Sequence, residues 1–124
     1  MKEPLILVAD DQAGVRRLLQ EVFREVGFRV ALAANGQEAI TLAAAEVPAL
    51  ALVDVKMPIM DGLETLKALR NLDPRLPVIM MTAVGDGRVS QLLAHGARGC
   101  MGKPFDVFAL RDLAQQVLQE EGRI

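Results

Sequence analysis

Five short apolar runs, each followed by a stretch of helical periodicity, leave few folds open to this chain. The runs are Leu5–Ala9, Phe28–Ala33, Leu50–Val53, Val78–Met81 and Gly99–Gly102. Each has the length of a strand and is too short for a helix. After the first run, Asp11 or Gln12 opens a helix carrying Val15, Leu18, Leu19, Val22, Phe23 and Val26. At ~100° per residue these six span roughly 140°, with Leu18 and Phe23 at the margins. Gly27 stops that helix. Asn35-Gly36 reads as a turn, with a helix following through Ala45. Asp61 or Gly62 starts a helix bearing Leu63, Leu66 and Leu69, and Asp73-Pro74 breaks it. Gly85-Asp86-Gly87 turns into a shorter helix with Val89, Leu92 and Leu93, ended by Gly96. Asp106 caps a last helix with Phe108, Leu110, Leu113, Val117 and Leu118. Crossovers between parallel strands are right-handed in nearly all cases. The expectation is an α/β domain: a doubly wound parallel sheet of five strands in the order 2-1-3-4-5, with five helices.

In such a sheet the C-terminal strand ends line one edge, and ligands bind there at the switch between the first and third strands. The residues at those ends are Asp10-Asp11, Asp54, Thr82 and Lys103-Pro104. Clustered carboxylates repel: at ~4 Å and an effective dielectric of ~20, each like-charged pair costs about 4 kcal/mol. A divalent metal together with Lys103 would offset that. Mg²⁺ takes hard oxygen ligands, commonly one or two carboxylates plus waters and a phosphate. Two acids and a loop carbonyl such as that of Lys56 suit it. The plainer reading makes these acids helix N-caps. It fits Asp11 well and Asp54 less well, because a loop follows Asp54. Thr82 either donates its hydroxyl to a phosphoryl oxygen or simply ends a strand. Lys103 is either a phosphate-binding cation held by its proline or an ordinary surface lysine.

Composition narrows the function classes. With 124 residues and 52% hydrophobic content, the chain is expected to be one domain with one core. No apolar run approaches the ~20 residues of a membrane span. A net charge of −2 and only four aromatic residues, all Phe, argue against a nucleic-acid platform. The single cysteine, Cys100, excludes an internal disulfide and points to a reducing cytoplasm. As a strand cysteine it reads as inert packing before it reads as a redox sensor. His95, the one histidine, precedes Gly96 near a helix end and reads as a C-terminal cap. Arg16-Arg17 reads as a solvated face or as a greeting for an acidic partner.

Taken jointly, Asp10-Asp11, Asp54, Met57-Pro58-x-Met60-Asp61-Gly62, Thr82-Ala83 and Lys103-Pro104 resemble the receiver domain of two-component response regulators. The likeness runs from Leu5 to about Leu118. It implies a flavodoxin-like (CheY-like) fold and phosphoryl transfer from a phosphohistidine to an aspartate. Asp54 would be the phosphoacceptor. Asp10, Asp11, Asp54 and the Lys56 carbonyl would form the Mg²⁺ site, with Mn²⁺ able to substitute and Asp10 acting through water. Thr82 and Lys103 would contact the phosphoryl oxygens. The chain would catalyse its own phosphorylation and, slowly, its own dephosphorylation. Further segments, among them Asp10-Asp11-Gln12-x-Gly14-x-Arg16 and Lys103-Pro104-Phe105-Asp106, resemble single-domain phosphorelay receivers of sporulation. That likeness implies a sensor histidine kinase and a histidine phosphotransferase as partners. The docking surface would be Gln12, Gly14, Val15, Leu18, Lys56, Val84, Pro104 and Phe105. Leu18 at its helix margin is either half exposed for a partner or ordinary core.

Some positions depart from receivers that drive an output. Cys100 stands where these often carry a Tyr or Phe, which favours a phosphate courier. Val84 and Lys56, each two residues beyond a strand-end residue, would shield the phosphoryl group and lengthen its lifetime. The chain starts at Met1 and ends without a linker, so a complete, monomeric, cytoplasmic receiver is expected. The competing readings are a receiver fragment of a DNA-binding regulator and a chemotaxis-type output receiver. An aspartyl-phosphate phosphatase would need an acid where Lys56 stands. A flavin module would need a phosphate loop after the first strand.

Overall fold

In the computed structural model, residues 3–83 and 87–124 are described. Strands and helices alternate: β1 (Leu5–Ala9), α1 (Ala13–Glu25), β2 (Arg29–Ala33), α2 (Gly36–Ala45), β3 (Leu50–Asp54), α3 (Gly62–Leu72), β4 (Val78–Ala83), α4 (Val89–Ala94), β5 (Gly99–Lys103) and α5 (Val107–Glu120). The strands form one parallel sheet in the order β2-β1-β3-β4-β5. This is the flavodoxin-like architecture expected from the alternation of runs.

Side chains alternate across the strands, so each strand feeds two cores. Leu7, Ala9, Ala51, Val53, Val78 and Met80 pack with α2, α3 and Leu92 of α4. Ile6, Val8, Leu50, Leu52, Ile79 and Met81 pack with α1 and α5. β3 is buried along its whole length, whereas the edge strands β2 and β5 are mostly half-buried. That difference explains why the second run is more polar than the third.

Several local expectations change. Asn35-Gly36 is no separate turn. Asn35 is the N-cap of α2, its side chain accepting from the Glu38 amide, and Gly36 is the first helical residue. The Glu38 carboxylate accepts in return from the Ala34 amide, just before the cap, at 2.7 Å. Phe23, placed at the helix margin, is fully buried, because Phe28 from the next segment meets its ring edge-on at 6.1 Å. Val26 lies beyond the last turn of α1 and is exposed. Phe108 and Leu93 are also exposed, and the Arg111 guanidinium lies over the Phe108 ring. His95 caps α4 as expected, with Nδ1 2.9 Å from the Gln91 carbonyl. The turn expected at Gly85-Asp86-Gly87 falls partly outside the described residues.

One glycine fixes the site from below. A Cβ on Gly62 would lie 2.5 Å from the Val55 Cα and 2.6 Å from the Asp54 carbonyl oxygen. Only glycine lets α3 begin this close to the end of β3. The Gly62 amide donates to the Val55 carbonyl at 2.7 Å, and Asp61 caps the helix through the Glu64 amide. The Asp61-Gly62 pair therefore ties the loop after Asp54 tightly to the strand.

Candidate functional site

β1 and β3 are neighbours, so their C-terminal ends bring Asp10, Asp11 and Asp54 together. Carboxylate oxygens of the three lie within 4.8 Å of one another. Asp10 is fully buried and Asp54 is 6% exposed, while Asp11 faces solvent. β5 delivers Lys103 to the same place. Its Nζ stands 2.7 Å from Asp10 Oδ2 and 3.3 Å from Asp54 Oδ2. Pairing of β4 with β5 sets Thr82 beside Gly102 and Ala83 beside Lys103, and Thr82 is buried. The Lys103-Pro104 peptide is cis.

Asp10 is held on every side. Its Oδ1 accepts from the Gln12 amide at 2.9 Å, and its backbone carbonyl accepts from Arg16 Nη1 at 2.8 Å. Arg16, read from the sequence as a solvated face or a greeting for an acidic partner, instead anchors the site through this bond. The N-cap reading of Asp11 does not hold: Gln12 occupies the cap position of α1, with no side-chain cap bond. Among the described residues, Asp11 makes no hydrogen bond or ion pair.

Burial and then repulsion from Asp10 raise the Asp54 carboxyl above its ordinary value, against the pull of Lys103 and the Lys56 amide. For Lys103, burial pushes the ammonium down. The hydrogen bond and charge of Asp10, followed by those of Asp54, outweigh it and hold the group above its ordinary value. Asp10 and Asp54 thus share one ammonium with Asp11 close by, and Asp54 carries the unrelieved repulsion. A divalent cation fits this donor set: hard oxygens in excess of local positive charge, with Asp11 open to solvent.

On the α1/α5 side, Gln12, Val15, Leu18, Pro104 and Phe105 line a groove of about 440 Å³ that reaches Lys103. Leu18 is 47% exposed, which decides for the half-exposed reading. Gly14 is exposed on α1 and Lys56 on the β3–α3 loop, both outside this groove. Val84 lies outside the described residues. Cys100 is half-buried, and burial pushes its thiol up, in keeping with inert packing.

Fold and site together define a doubly wound α/β domain presenting an acidic pocket and a lysine at its switch point. The chain belongs to the response regulator receiver domain family, whose pattern matches residues 6–115. It is similar to sporulation initiation phosphotransferase F of Bacillus subtilis (strain 168): 40% identity over 119 residues, covering 95% of this chain and 96% of that protein. It is also 40% identical over 115 residues to the regulatory protein AtoC of Escherichia coli (strain K12), covering 92% of this chain but only 25% of that protein. Among solved structures, a CheY-like receiver domain protein from Methanospirillum hungatei JF-1 superposes with a TM-score of 0.92 at 28% identity, covering 98% of both chains. Receiver domains act in two-component signalling, bind Mg²⁺ at an acidic pocket, and work with histidine kinases and phosphotransferases. Among the described residues no helix is long and apolar enough to cross a membrane.

Proposed function

We propose that this chain is a single-domain, monomeric, cytoplasmic phosphorelay receiver. It takes a phosphoryl group from the phosphohistidine of a sensor histidine kinase onto Asp54 and passes it to a histidine phosphotransferase. The observation that carries the reading is Asp54 at a nearly buried strand end, 3.3 Å from Lys103 and crowded by Asp10 and Asp11. An Asp54 oxygen attacks phosphorus in line. The P–N bond to the donor imidazole breaks, and its electron pair stays on the nitrogen. Asp11, Asp54 and the Lys56 carbonyl would hold Mg²⁺, with Asp10 behind them. The ion would supply charge neutralisation on the phosphoryl oxygens.

The chain's own groups do the rest. Asp10 keeps Lys103 in place, so the ammonium meets the incoming phosphoryl oxygens without searching for a position. The Thr82 hydroxyl donates to the same group. Lys56, on the loop after Asp54, shields it from water. The groove of Gln12, Val15, Leu18, Pro104 and Phe105, with Gly14 and Lys56 beside it, receives the partner helix. Near full-length likeness to a sporulation phosphotransferase supports the courier role. The AtoC likeness supports the alternative, a receiver that drives an output domain.

Intact mass after incubation with Mg²⁺ and acetyl phosphate tests the chemistry. One phosphoryl group is gained by the parent and none by Asp54→Asn. No gain in the parent, under conditions where a control receiver reacts, overturns the reading. Onward transfer to a histidine phosphotransferase separates courier from output receiver.

A further inference from the structure

Ile59, in the loop between β3 and α3, has φ +72° and is 80% exposed. The Met60 amide donates to the Pro58 carbonyl at 2.7 Å, which closes a three-residue turn centred on Ile59. A tight turn with positive φ is rare and strained. In this region the Cβ crowds the backbone carbonyl, so a β-branched residue is an outlier where Gly or Asn sits readily. The loop cannot relax by drifting. It is pinned after the turn by the Gly62 amide on Val55, and Met60 packs against the start of α2 at Gly36. The Ile59 side chain returns no core contact that would offset the strain, because it stands in solvent.

We propose that Ile59 is a specificity-determining contact for the phosphohistidine-bearing protein that reacts at Asp54. The inference rests on the function proposed above. Asp54 is nearly buried, so a protein donor must lower its histidine into the pocket and cover the surrounding rim. Ile59 stands in the loop directly following the acceptor strand, five residues past Asp54. On the α1 side, in the groove that reaches Lys103, stands another exposed aliphatic, Leu18, beside Val15 and Phe105. A helical partner seated over Asp54 buries both, and the apolar contact of Ile59 exists only in that complex. A small donor reaches Asp54 without touching it. Strain in the free chain is thereby linked to discrimination between partners.

The test compares acetyl phosphate with a protein donor. The donor is the sensor histidine kinase that phosphorylates the parent fastest in an autophosphorylated panel. Ile59→Gly is expected to raise Tm by about 4 °C and to leave acetyl phosphate labelling within about twofold. Transfer from the kinase should fall about tenfold in kcat/KM, mostly through KM. Ile59→Leu keeps the apolar contact without the β-branch, and kinase transfer should stay within about twofold of the parent. Unchanged kinase transfer in Ile59→Gly overturns the inference. So does an equal loss with both donors, which would mark a general loop defect, or a fall in Tm. Acetyl phosphate labelling of the parent with no reactive kinase overturns the partner assignment. Failure of the parent to label at all would instead sink the phosphoacceptor reading.

Discussion

At the N-terminal edge of the sheet, Arg98 meets Glu120 at 2.9 Å and Glu121 at 3.3 Å, and Arg123 reaches Asp73 at 3.7 Å. At the C-terminal edge, Asp10 and Asp54 share the ammonium of Lys103, and Asp11 stands beside them without an ion pair among the described residues. In the first set every carboxylate has an arginine partner, and the side chains stay partly exposed. In the second set Asp10 and Asp54 are buried, and Asp11 has no ion-pair partner among the described residues. Exposed, matched pairs contribute little to stability and invite no further ion. Buried, unmatched acids cost stability until a cation arrives, which is the condition a binding site must meet. The same fold thus pairs each of these acids at one edge and leaves an acid unpaired at the other.

The largest effect that would break this contrast comes from Lys103. Lys103→Met leaves Asp10 fully buried without its ion-pair partner. Breaking a buried pair from one side costs ~3–5 kcal/mol, and the partial exposure of Lys103 places this case near about 3 kcal/mol. Urea unfolding in EDTA measures it. A loss no greater than that of Arg98→Ala would mean the two edges do not differ.

Mg²⁺ should act more weakly and in the opposite direction. At ten times its Kd the ion would add about 1.4 kcal/mol of stability. Asp11→Asn should abolish most of that gain while barely changing stability in EDTA, since Asp11 is exposed and unpaired among the described residues. A Mg²⁺-dependent Tm shift that survives Asp11→Asn would place the ion elsewhere.

Much of this contrast was legible in the sequence, and what was not has a physical reason. Asp10, Asp11, Asp54 and Lys103 are readable because each directly ends a strand or follows one, and parallel topology gathers strand ends. Arg16 was not, because its partner is the backbone carbonyl of Asp10, which no side-chain pattern records. Phe23 was misplaced because periodicity describes one helix and says nothing of Phe28 covering its margin. Phe108 has core spacing yet lies exposed under Arg111, since an apolar stripe wider than its groove leaves one flank uncovered. Ile59 was simply a loop residue until its backbone angle was seen.

The pH dependence sharpens the contrast at Asp54. Its carboxyl is raised above its ordinary value by burial first and Asp10 second. The native state therefore holds that proton to a higher pH than the unfolded chain does. Stability falls as pH rises from about 4, the unfolded value, through the native one. In EDTA, Asp54→Asn should be more stable than the parent at pH 7, and the difference should shrink toward pH 4. With Mg²⁺ at pH 7 the parent gains and the variant does not. A variant no more stable than the parent at pH 7 in EDTA would mean Lys103 already balances the cluster.

The smallest effect belongs to the opposite edge. Arg98 donates to Glu120 and Glu121, and all three side chains are a third or more exposed. Water screens both pairs, and holding the long side chains together costs entropy, so Arg98→Ala should lose at most about 1 kcal/mol. Because the charges face solvent, the loss should fade further as salt rises past a Debye length of ~8 Å at 0.15 M. The Lys103→Met loss, measured in the same series, should hold against salt far better, because Asp10 has no exposed surface. A salt-insensitive loss at Arg98 would mean that its aliphatic stem, lining the cleft with Ala97 and Pro77, holds α5 by packing rather than charge. Arg98→Met would then restore what Arg98→Ala removes, and the N-terminal edge would owe its stability to contact rather than to matched charge.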